Sequence, residues 1–274
     1  MCYLVSASLV IFRNDIKSIL NITVSFLKSY PDCILYIINN DPRDSFENIF
    51  ISDRLIYIDT KKNIGFGAAH NIAFKKALEA GASYHFIINP DIAFNPEIIS
   101  NMVNSMIKYS DIGVMMPKIL NKNGSVQHLP KLIPSPFSIL FRKINSILPF
   151  FEKYVHDYEM RNLPSFGIYD IPIVSGCFTL LSLDAIKKVG YYDERFFLYF
   201  EDWDLSRRIG TQFRTVIDLS VSVTHEYNSG ANKHLKLFYI YLVSAFKYFK
   251  KWGFFLDADS RVINKNTLSS LYNA

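Results

Sequence analysis

Hydrophobic and polar residues in the first part of the chain alternate between two periods, one typical of buried strands and one of amphipathic helices. Continuous apolar runs predict strands over residues 3–12, 33–38, 55–58 and 84–88. Between them, apolar residues recur at three- and four-residue steps and predict helices over residues 15–29, 65–80 and 97–109. This alternation is typical of an α/β fold with a mainly parallel sheet covered by helices.

The pattern is less regular beyond residue 117. Six prolines and several aromatic clusters between residues 118 and 172 predict an irregular or short-helical insertion. Regular periodicity then returns and predicts strands near 171–181, 213–217 and 221–224, and helices over 184–189, from about 202 and over 233–252. We therefore divide the chain into a domain over residues 1–230, with halves at 1–117 and 118–230, and a helical segment over 231–274.

Composition narrows the class of protein. Half of the 274 residues are hydrophobic and 15% are aromatic, which excludes a disordered or fibrous chain. Thirty basic against 25 acidic residues give a net charge of +5, too small to indicate nucleic-acid binding but suited to an anionic ligand or membrane surface. Cys2, Cys33 and Cys177 are far apart, so they predict neither a disulfide framework nor a zinc cluster and favour a reducing compartment. The longest apolar stretch, residues 237–246, is about half the length of a membrane-spanning helix.

Polar residues stand where predicted parallel strands end, which is where ligands bind in such sheets. The second strand ends in Asn39 and Asn40, and the fourth in Asn89-Pro90-Asp91. A carboxylate at this edge can hold a divalent cation through oxygen. A β-turn in which Asp91 caps the next helix is the alternative, and the motif alone leaves both open.

A glycine-rich segment opens the second predicted helix. It begins at Asn63 and includes Gly65, Phe66 and Gly67, which would let a phosphate or sugar approach the helix N-terminus closely. The segment superficially suggests a dinucleotide-binding G-x-G-x-x-G motif, but the last position is His70. The second strand also lacks the acidic residue that a nicotinamide site needs, so an oxidoreductase is disfavoured.

Three carboxylates lie close together after the aromatic run 196–200. Glu201, Asp202 and Asp204 open a predicted helix, where acidic residues favour the N-terminus. Helix capping explains one or two of them, and a carboxylate beside such an apolar run could also take a proton from a hydroxyl. Further on, His225 ends a predicted strand, where it could be either a structural residue or a metal ligand.

The order of these motifs resembles the family 2 inverting glycosyltransferases of the GT-A fold. The resemblance rests on residues 63–71, Asn89-Pro90-Asp91, Val174-Ser175-Gly176-Cys177, Phe200-Glu201-Asp202-Trp203-Asp204-Leu205 with Arg208, and His225. It covers about residues 4–250 and is strongest toward the bacterial rhamnosyltransferases of O-antigen and other surface-polysaccharide assembly. The implied fold is a Rossmann-like, mainly parallel sheet flanked by helices, with a C-terminal amphipathic helix.

The resemblance also implies a donor and a metal, and it implies that each half of the domain binds one of the two substrates. The donor is a nucleotide-diphospho-sugar, with dTDP-L-rhamnose expected, bound by residues 1–117 with Mg²⁺ or Mn²⁺ on Asp91 and His225. The expected donor contacts are Val10, Phe12, Asn39, Asn40, Asn63, Gly65, Phe66, Gly67 and Asn89. Two of these depart from the family pattern, because Asn89 replaces the first Asp of the Asp-x-Asp metal motif and Asn39 replaces an Asp common at the base-reading position.

Residues 118–230 would form the acceptor and catalytic half. The resemblance makes Asp202 the catalytic base, includes Glu201 as a second catalytic residue, and places Gly176, Trp203 and Asp204 at the acceptor. The implied acceptor is an undecaprenyl-diphosphate-linked glycan. Two alternatives stay open: the same fold with a UDP-hexose or UDP-N-acetylhexosamine donor, and a non-catalytic glycan-binding or assembly-scaffold protein.

The C-terminal segment combines an apolar stripe with lysines. Its stripe consists of Leu235, Phe238, Leu242, Phe246 and Phe249. No acid occurs between residues 227 and 256, so the pattern is typical of an interfacial helix, although a helix that packs on the catalytic domain fits equally well. The resemblance favours a peripheral protein at the cytoplasmic face of the bacterial inner membrane.

Overall fold

The computed structural model describes residues 4–43, 52–226 and 235–272. Its strands are β1 (Val5–Ile11), β2 (Cys33–Asn39), β3 (Leu55–Asp59), β4 (Tyr84–Ile88), β5 (Ile92–Ala93), β6 (Ile112–Leu120), β7 (Ile168–Asp170), β8 (Phe178–Ser182) and β9 (Arg214–His225). Its helices are α1 (Ile16–Ser29), α2 (Phe66–Glu79), α3 (Glu97–Lys108), α4 (Pro136–Asn145), α5 (Glu152–Tyr158), α6 (Leu183–Val189), α7 (Glu201–Ile209), α8 (Leu235–Trp252) and α9 (Ala258–Tyr272). Cys2 and the predicted helix start at residue 233 lie outside the described residues.

One sheet organises the molecule, in the order β3-β2-β1-β4-β8-β6-β9-β5, with β7 also paired to β9. The strands β1 to β4 are parallel to one another, as the sequence predicts. The second half is mixed, because β8 runs antiparallel to both β4 and β6 while β6 and β9 are parallel. The carboxyl ends of β1, β2 and β4 therefore share one edge.

Local sequence signals explain the boundaries of the first two helices. Asp15 precedes α1, and its side chain accepts a hydrogen bond from the Ser18 N–H, which satisfies a free donor of the first turn. Gly65 precedes α2 with a φ of 93°, and Gly81 follows it with a φ of 77°, both in the region that favours glycine. The predicted helices over 15–29 and 65–80 are confirmed.

The structure corrects the prediction for the strands of the second half. The two strands predicted over 213–217 and 221–224 form one strand, β9, whose register against β6 shifts beside Lys118. At the shift the Asp218 carboxylate accepts a hydrogen bond from the Ser220 N–H, so the polar residues that suggested a break form a bulge. The adjacent strand β6 was not predicted at all.

The predicted irregular or short-helical insertion contains α4, a 3₁₀ turn at Pro149–Phe151, and α5. Ser135 and Ser138 form a reciprocal cap at the start of α4. The buried carboxylate of Glu159 then ties the segment together through Arg142 and Arg161, at 2.6 Å to each. Short helices linked by ion pairs give the segment its order without a periodic apolar face.

Helix α8 packs on the rest of the fold by one face. Its buried residues are Ser244, Ala245, Tyr248 and Phe249, and the last three form a cluster with Phe196 and Phe200. Of the predicted apolar stripe, only Phe249 is buried, whereas Leu235, Leu242 and Phe246 are exposed. No helix among the described residues combines the length and apolar character needed to cross a bilayer.

Candidate active site

The main chain holds the carboxylate of Asp202. The Gly176 N–H donates to Asp202 Oδ2 at 3.0 Å, and the Trp203 N–H donates to Oδ1 at 2.9 Å. Two backbone donors fix the orientation of the carboxylate while leaving lone pairs on both oxygens for a further partner. This arrangement suits a group that must accept a proton from a substrate hydroxyl.

A strained turn delivers these residues to the site. Tyr199 and Phe200 both adopt a φ of 70°, a conformation that bulky side chains rarely take. Phe200 is buried against α8, and the Ser244 hydroxyl of that helix donates to the Leu198 carbonyl at 2.8 Å. Packing therefore compensates for the unfavourable backbone, as is common at functional sites.

Burial raises the pKa values of the two neighbouring carboxyl groups by different amounts. It raises the pKa of Asp202 to about 6. It raises the pKa of Glu201 to about 8, and the negative charge of Asp202 adds to this shift. Glu201 Oε2 is buried and has no hydrogen-bond partner among the described residues. Such burial costs less free energy for a neutral carboxyl group than for a charged one. At neutral pH Asp202 is thus ionised and able to act as a base, while Glu201 keeps its proton.

Glu201 is expected to make the stability of the fold depend on pH. Its pKa is about 8 in the folded chain against an ordinary 4.5, so the folded state keeps a proton that the unfolded state has already lost. Its contribution to the free energy of unfolding therefore falls as the pH rises between those values. The glutamine of Glu201→Gln is neutral at every pH. The melting temperature of this variant should therefore increase relative to that of the wild type as the pH rises. Parallel pH profiles in thermal melts would contradict the assignment.

Asp91 and His225 form the second part of the site. His225 Nε2 lies 3.3 Å from Asp91 Oδ1, but Oδ1 has no hydrogen-bond partner among the described residues. Two ligands of one octahedral cation, each about 2.1 Å from it, lie about 3 Å apart. The buried Asn89 Oδ1 also lacks a partner there. This donor set fits Mg²⁺ or Mn²⁺.

Protein ligands alone do not complete such a site. Among residues 4–43, 52–226 and 235–272, no group of three histidine, cysteine, aspartate or glutamate side chains could hold a metal ion. Mg²⁺ in particular is often bound by one or two carboxylates together with the phosphates of a substrate and water. The pair is therefore suited to a cation that arrives with an anionic ligand.

Gln127, which the sequence analysis missed, positions His225. Its Oε1 lies 3.1 Å from His225 Nδ1, and its Nε2 donates to the His225 carbonyl at 2.9 Å and to Asn121 Oδ1 at 2.8 Å. Because both amide protons are used elsewhere, Oε1 is available to accept a proton from Nδ1, and in that tautomer Nε2 would be free to bind a metal.

Loss of this support is expected to weaken metal binding. Gln127→Met keeps the size of the side chain but removes the acceptor for the Nδ1 proton, and we expect about 10–100-fold weaker Mn²⁺ affinity. Direct titration of Mn²⁺ with a nucleoside diphosphate, followed by electron paramagnetic resonance, measures this. Gln212→Met, at an exposed glutamine, is the control and should bind like the wild type. Equal affinity for the two variants would show that Gln127 does not support the ligand.

The base and the metal pair lie on either side of one short segment. The Asn89 N–H donates to the Cys177 carbonyl at 2.8 Å, next to the Gly176 N–H that binds Asp202. Burial raises the pKa of the Cys177 thiol to about 12, and both Asp91 and Asp202 add to the shift through their charges. Asp202 and Asp91 therefore both lie near residues 176–177, and we call the region around this segment the cleft.

The glycine-rich segment packs against protein at the same cleft. A side chain at Gly65 would place its Cβ 2.5 Å from the Phe197 carbonyl oxygen, which accepts a hydrogen bond from the Phe66 N–H at 2.9 Å. Asn63 and Asn40 hold the two ends of the Gly65 peptide, at 3.0 Å each. Contact with Phe197 explains the glycine at position 65, and the expected ligand contact at these glycines stays a prediction.

The end of β2 presents different groups from those expected. Asn39 is fully buried, and its side chain donates to the Asp41 carbonyl and accepts from the Asp41 N–H. It therefore shapes the loop rather than offering its amide to a base. Arg43 forms paired hydrogen bonds with Asp41 and holds the pKa of that carboxyl down at about 2. Val10 is half-buried and Phe12 exposed at the neighbouring end of β1.

The structure divides the residues expected at the acceptor. Trp203 is half-buried beside Phe200, with ring centres 4.5 Å apart, and Gly176 borders the cleft. Asp204 is completely buried and binds Arg208, Lys251 and the Trp252 indole N–H. The predicted contact of Asp204 with the acceptor is therefore wrong, and its carboxylate instead links α7 to α8.

Comparison with known proteins identifies the family. Residues 9–190, more than half of the chain, match the family model described as glycosyl transferase family 2. The chain belongs to glycosyl transferase family 2. Within this family, the cleft bordered by Asp202 and Asp91 is the natural candidate for the active site.

Two curated relatives share part of this family 2 chain. The N-acetylglucosaminyl-diphospho-decaprenol L-rhamnosyltransferase of Mycobacterium tuberculosis is 28% identical over 167 residues, 56% of this chain and 52% of the relative. The low-salt glycan biosynthesis hexosyltransferase Agl10 of Haloferax volcanii is 24% identical over 175 residues, 63% of this chain and 52% of the relative. The chain thus spans about half the length of both relatives.

Solved structures support the GT-A fold of this family 2 member. GalNAc-T7, crystallised with UDP, GalNAc and Mn²⁺, superposes with a TM-score of 0.63 over 92% of this chain and 48% of its own, at 11% identity. TarS of S. aureus gives a TM-score of 0.55 over 81% of this chain and 36% of its own, at 14% identity. At these identities the likeness concerns the fold alone.

Proposed function

We propose that this protein is an inverting glycosyltransferase that moves L-rhamnose from dTDP-L-rhamnose to a lipid-linked glycan. The observation that carries the activity is that a main-chain-bound carboxylate, Asp202, and the Asp91–His225 pair both lie near residues 176–177. A relative that transfers L-rhamnose to a diphospho-decaprenol carrier supports the choice of sugar and acceptor.

The proposed reaction is a single displacement. Asp202 takes the proton of an acceptor hydroxyl as its oxygen forms a bond to the anomeric carbon of the donor. The bond between that carbon and the diphosphate oxygen breaks at the same time, so the nucleoside diphosphate leaves and the anomeric configuration inverts. Asp91 and His225 would hold the divalent cation, which when bound offsets the negative charge that develops on the diphosphate.

The acceptor proposal is an undecaprenyl-diphosphate-linked glycan used at the cytoplasmic face of the bacterial inner membrane. Its support is the exposed apolar side of α8, where Leu235 and Phe246 project away from the catalytic half beside lysines. Such a face is typical of helices that lie in the membrane interface. Glycans on a long polyprenyl chain stay at that surface, so a transferase that binds there meets its acceptor.

A donor panel with Mn²⁺ tests the activity. A ligand that binds only the folded chain raises its melting temperature, so dTDP-L-rhamnose should give the largest shift and, with acceptor, release dTDP. Asp91→Asn should lose most of the part of this shift that depends on Mn²⁺. A larger response to a UDP-hexose or UDP-N-acetylhexosamine would replace the proposed donor. No binding or transfer with any nucleotide sugar would favour a non-catalytic glycan-binding protein.

A further inference from the structure

A second element extends the exposed apolar face of α8. The segment between α4 and α5 carries Ile147 and, in its 3₁₀ turn, Phe150, whose exposed fractions are 77% and 82%, and the turn after α8 carries Leu256, exposed at 94%. We call residues 147–151, the outer faces of α4 and α8 and residues 254–256 together the apolar platform. Monomeric soluble proteins rarely expose so many large apolar side chains in one place without a partner.

Direct contacts make the platform one continuous surface. The rings of Phe137 on α4 and Phe255 after α8 have centres 5.9 Å apart, and those of Phe246 and Phe254 are 5.7 Å apart. The Lys143 ammonium of α4 lies 4.3 Å from the ring centre of Phe238 on α8. The platform therefore joins parts of the chain that are about a hundred residues apart in the sequence.

The two faces of α8 differ in what they contact. Its exposed apolar residues are Leu235, Tyr239, Leu242 and Phe246, which follow one side of the helix. The opposite side is buried on the catalytic half. The packing alternative is therefore confirmed for one face of α8, and the interfacial alternative stays a prediction for the exposed face.

The charge around the platform points to an anionic partner. Residues 135–151 and 235–256 contain six lysines and arginines and no aspartate or glutamate. Arg142 and Lys251 are used in ion pairs with Glu159 and Asp204, whereas Lys143, Lys236 and Lys250 are exposed. The acids that directly follow these two segments, Glu152 and Asp257, are paired with Arg161 at 3.1 Å and with Arg207 at 2.8 Å. Exposed lysines around projecting apolar side chains match an anionic lipid surface, where the lysines meet headgroups and the apolar groups enter between them.

We propose that the apolar platform docks on an anionic lipid bilayer, with the Ile147–Phe150 turn inserting among the headgroups beside α8. This inference rests on the membrane contact in the proposed function and assigns it a second insertion point outside the C-terminal segment. Two separated points fix the orientation of a docked protein, whereas a single helix leaves it free to roll about the helix axis.

The docked orientation brings the cleft close to the lipid. The inner face of α8 contacts the turn that leads to the catalytic carboxylates, through Phe249 against Phe200 and the hydrogen bond from Ser244 to the Leu198 carbonyl. A helix with its side chains is about 10 Å thick, so the platform and this turn are separated by little more than one helix. A lipid-linked acceptor could therefore reach Asp202 without leaving the membrane surface.

Flotation of the full chain with vesicles tests the platform. The chain should bind vesicles that contain phosphatidylglycerol, and added salt should weaken this binding. The double variant Ile147→Ser with Phe150→Ser should partition about tenfold or more weakly. Lys236→Ala and Lys250→Ala should each cost about fivefold on anionic vesicles only.

A matched control separates this effect from a general loss of surface hydrophobicity. Leu20→Ser with Val24→Ser removes two apolar residues of α1 that are 36% and 49% exposed, and it should float like the wild type. Equal flotation of the wild type and the Ile147/Phe150 variant, or equal binding to pure phosphatidylcholine, would overturn the proposal. Donor binding, measured in the same preparations without vesicles, should be unchanged in all variants. Its absence in the wild type would refute the proposed function while leaving the docking result to stand by itself.

Discussion

Asp202→Asn is expected to lower the rate of sugar transfer by about 10²–10⁴-fold, the usual contribution of a general base. Asparagine keeps the shape of the side chain, and its Oδ1 can still accept one of the two backbone hydrogen bonds made by Gly176 and Trp203. It cannot take a proton from an acceptor hydroxyl. Binding of the donor should stay close to that of the wild type, because the metal pair lies on the other side of residues 176–177. Single-turnover transfer and nucleotide titration separate the two effects.

Glu201→Gln is the matched control for this prediction. Glu201 is the adjacent carboxyl group, but burial keeps it protonated near neutral pH, so a neutral amide replaces a neutral acid. The variant should keep most of its activity, and its rate should still rise with pH through about 6, where Asp202 loses its proton. A wild-type rate in Asp202→Asn, or an equal loss in both variants, would mean that Asp202 is not the base.

Asp204→Ala is expected to destabilise the fold by about 3–5 kcal/mol, the cost of breaking a buried ion pair by removing one partner. Asp204 has no exposed surface and accepts from Arg208 Nε at 2.9 Å, Lys251 Nζ at 2.6 Å and Trp252 Nε1 at 2.8 Å. The alanine would leave two cations and an indole N–H without this acceptor. Because two of the partners belong to α8, the helix should lose its attachment to α7. Urea unfolding measures the change.

An exposed aspartate provides the comparison for this loss. Asp184 pairs with Lys187 on α6, with the two side chains 78% and 59% exposed. Its replacement by alanine should cost less than about 1 kcal/mol, because water screens the pair. If Asp204→Ala and Asp184→Ala had similar effects, the buried carboxylate would not be holding α8 in place.

Local signals were sufficient to predict β1 to β4 and α1 to α3. The cap at Asp15 and the glycines at 65 and 81 mark helix ends by chemistry that acts within a few residues, and the structure places the ends there. The insertion at 118–172 resisted prediction in detail because its helices are short and α4 faces solvent with apolar residues. β6 and the single strand β9 are stabilised by pairing with each other in the sheet. Such pairing between distant segments cannot be predicted from the sequence of either strand alone.

Site residues that belong to sequence motifs could be predicted. The residues that contact them from distant parts of the chain could not. Asp91 and His225, identified from separate motifs, lie 3.3 Å apart as one metal site would require. Gln127 was missed because it lies 98 positions before the histidine that it supports. Asp204 was misjudged for the same reason, since its partner Trp252 follows 48 positions later and a carboxylate at a helix start looks available to a ligand.

The peptide N–H of Gly176 orients Asp202, and every amino acid except proline supplies the same donor. A Cβ at this position would lie 3.5 Å from the Cβ of Asp202 and from the Phe66 ring, an ordinary contact distance. Small residues can therefore replace the glycine without turning the base away from its target. A Gly176→Ala variant is expected to keep the orientation of Asp202, because the donor belongs to the backbone.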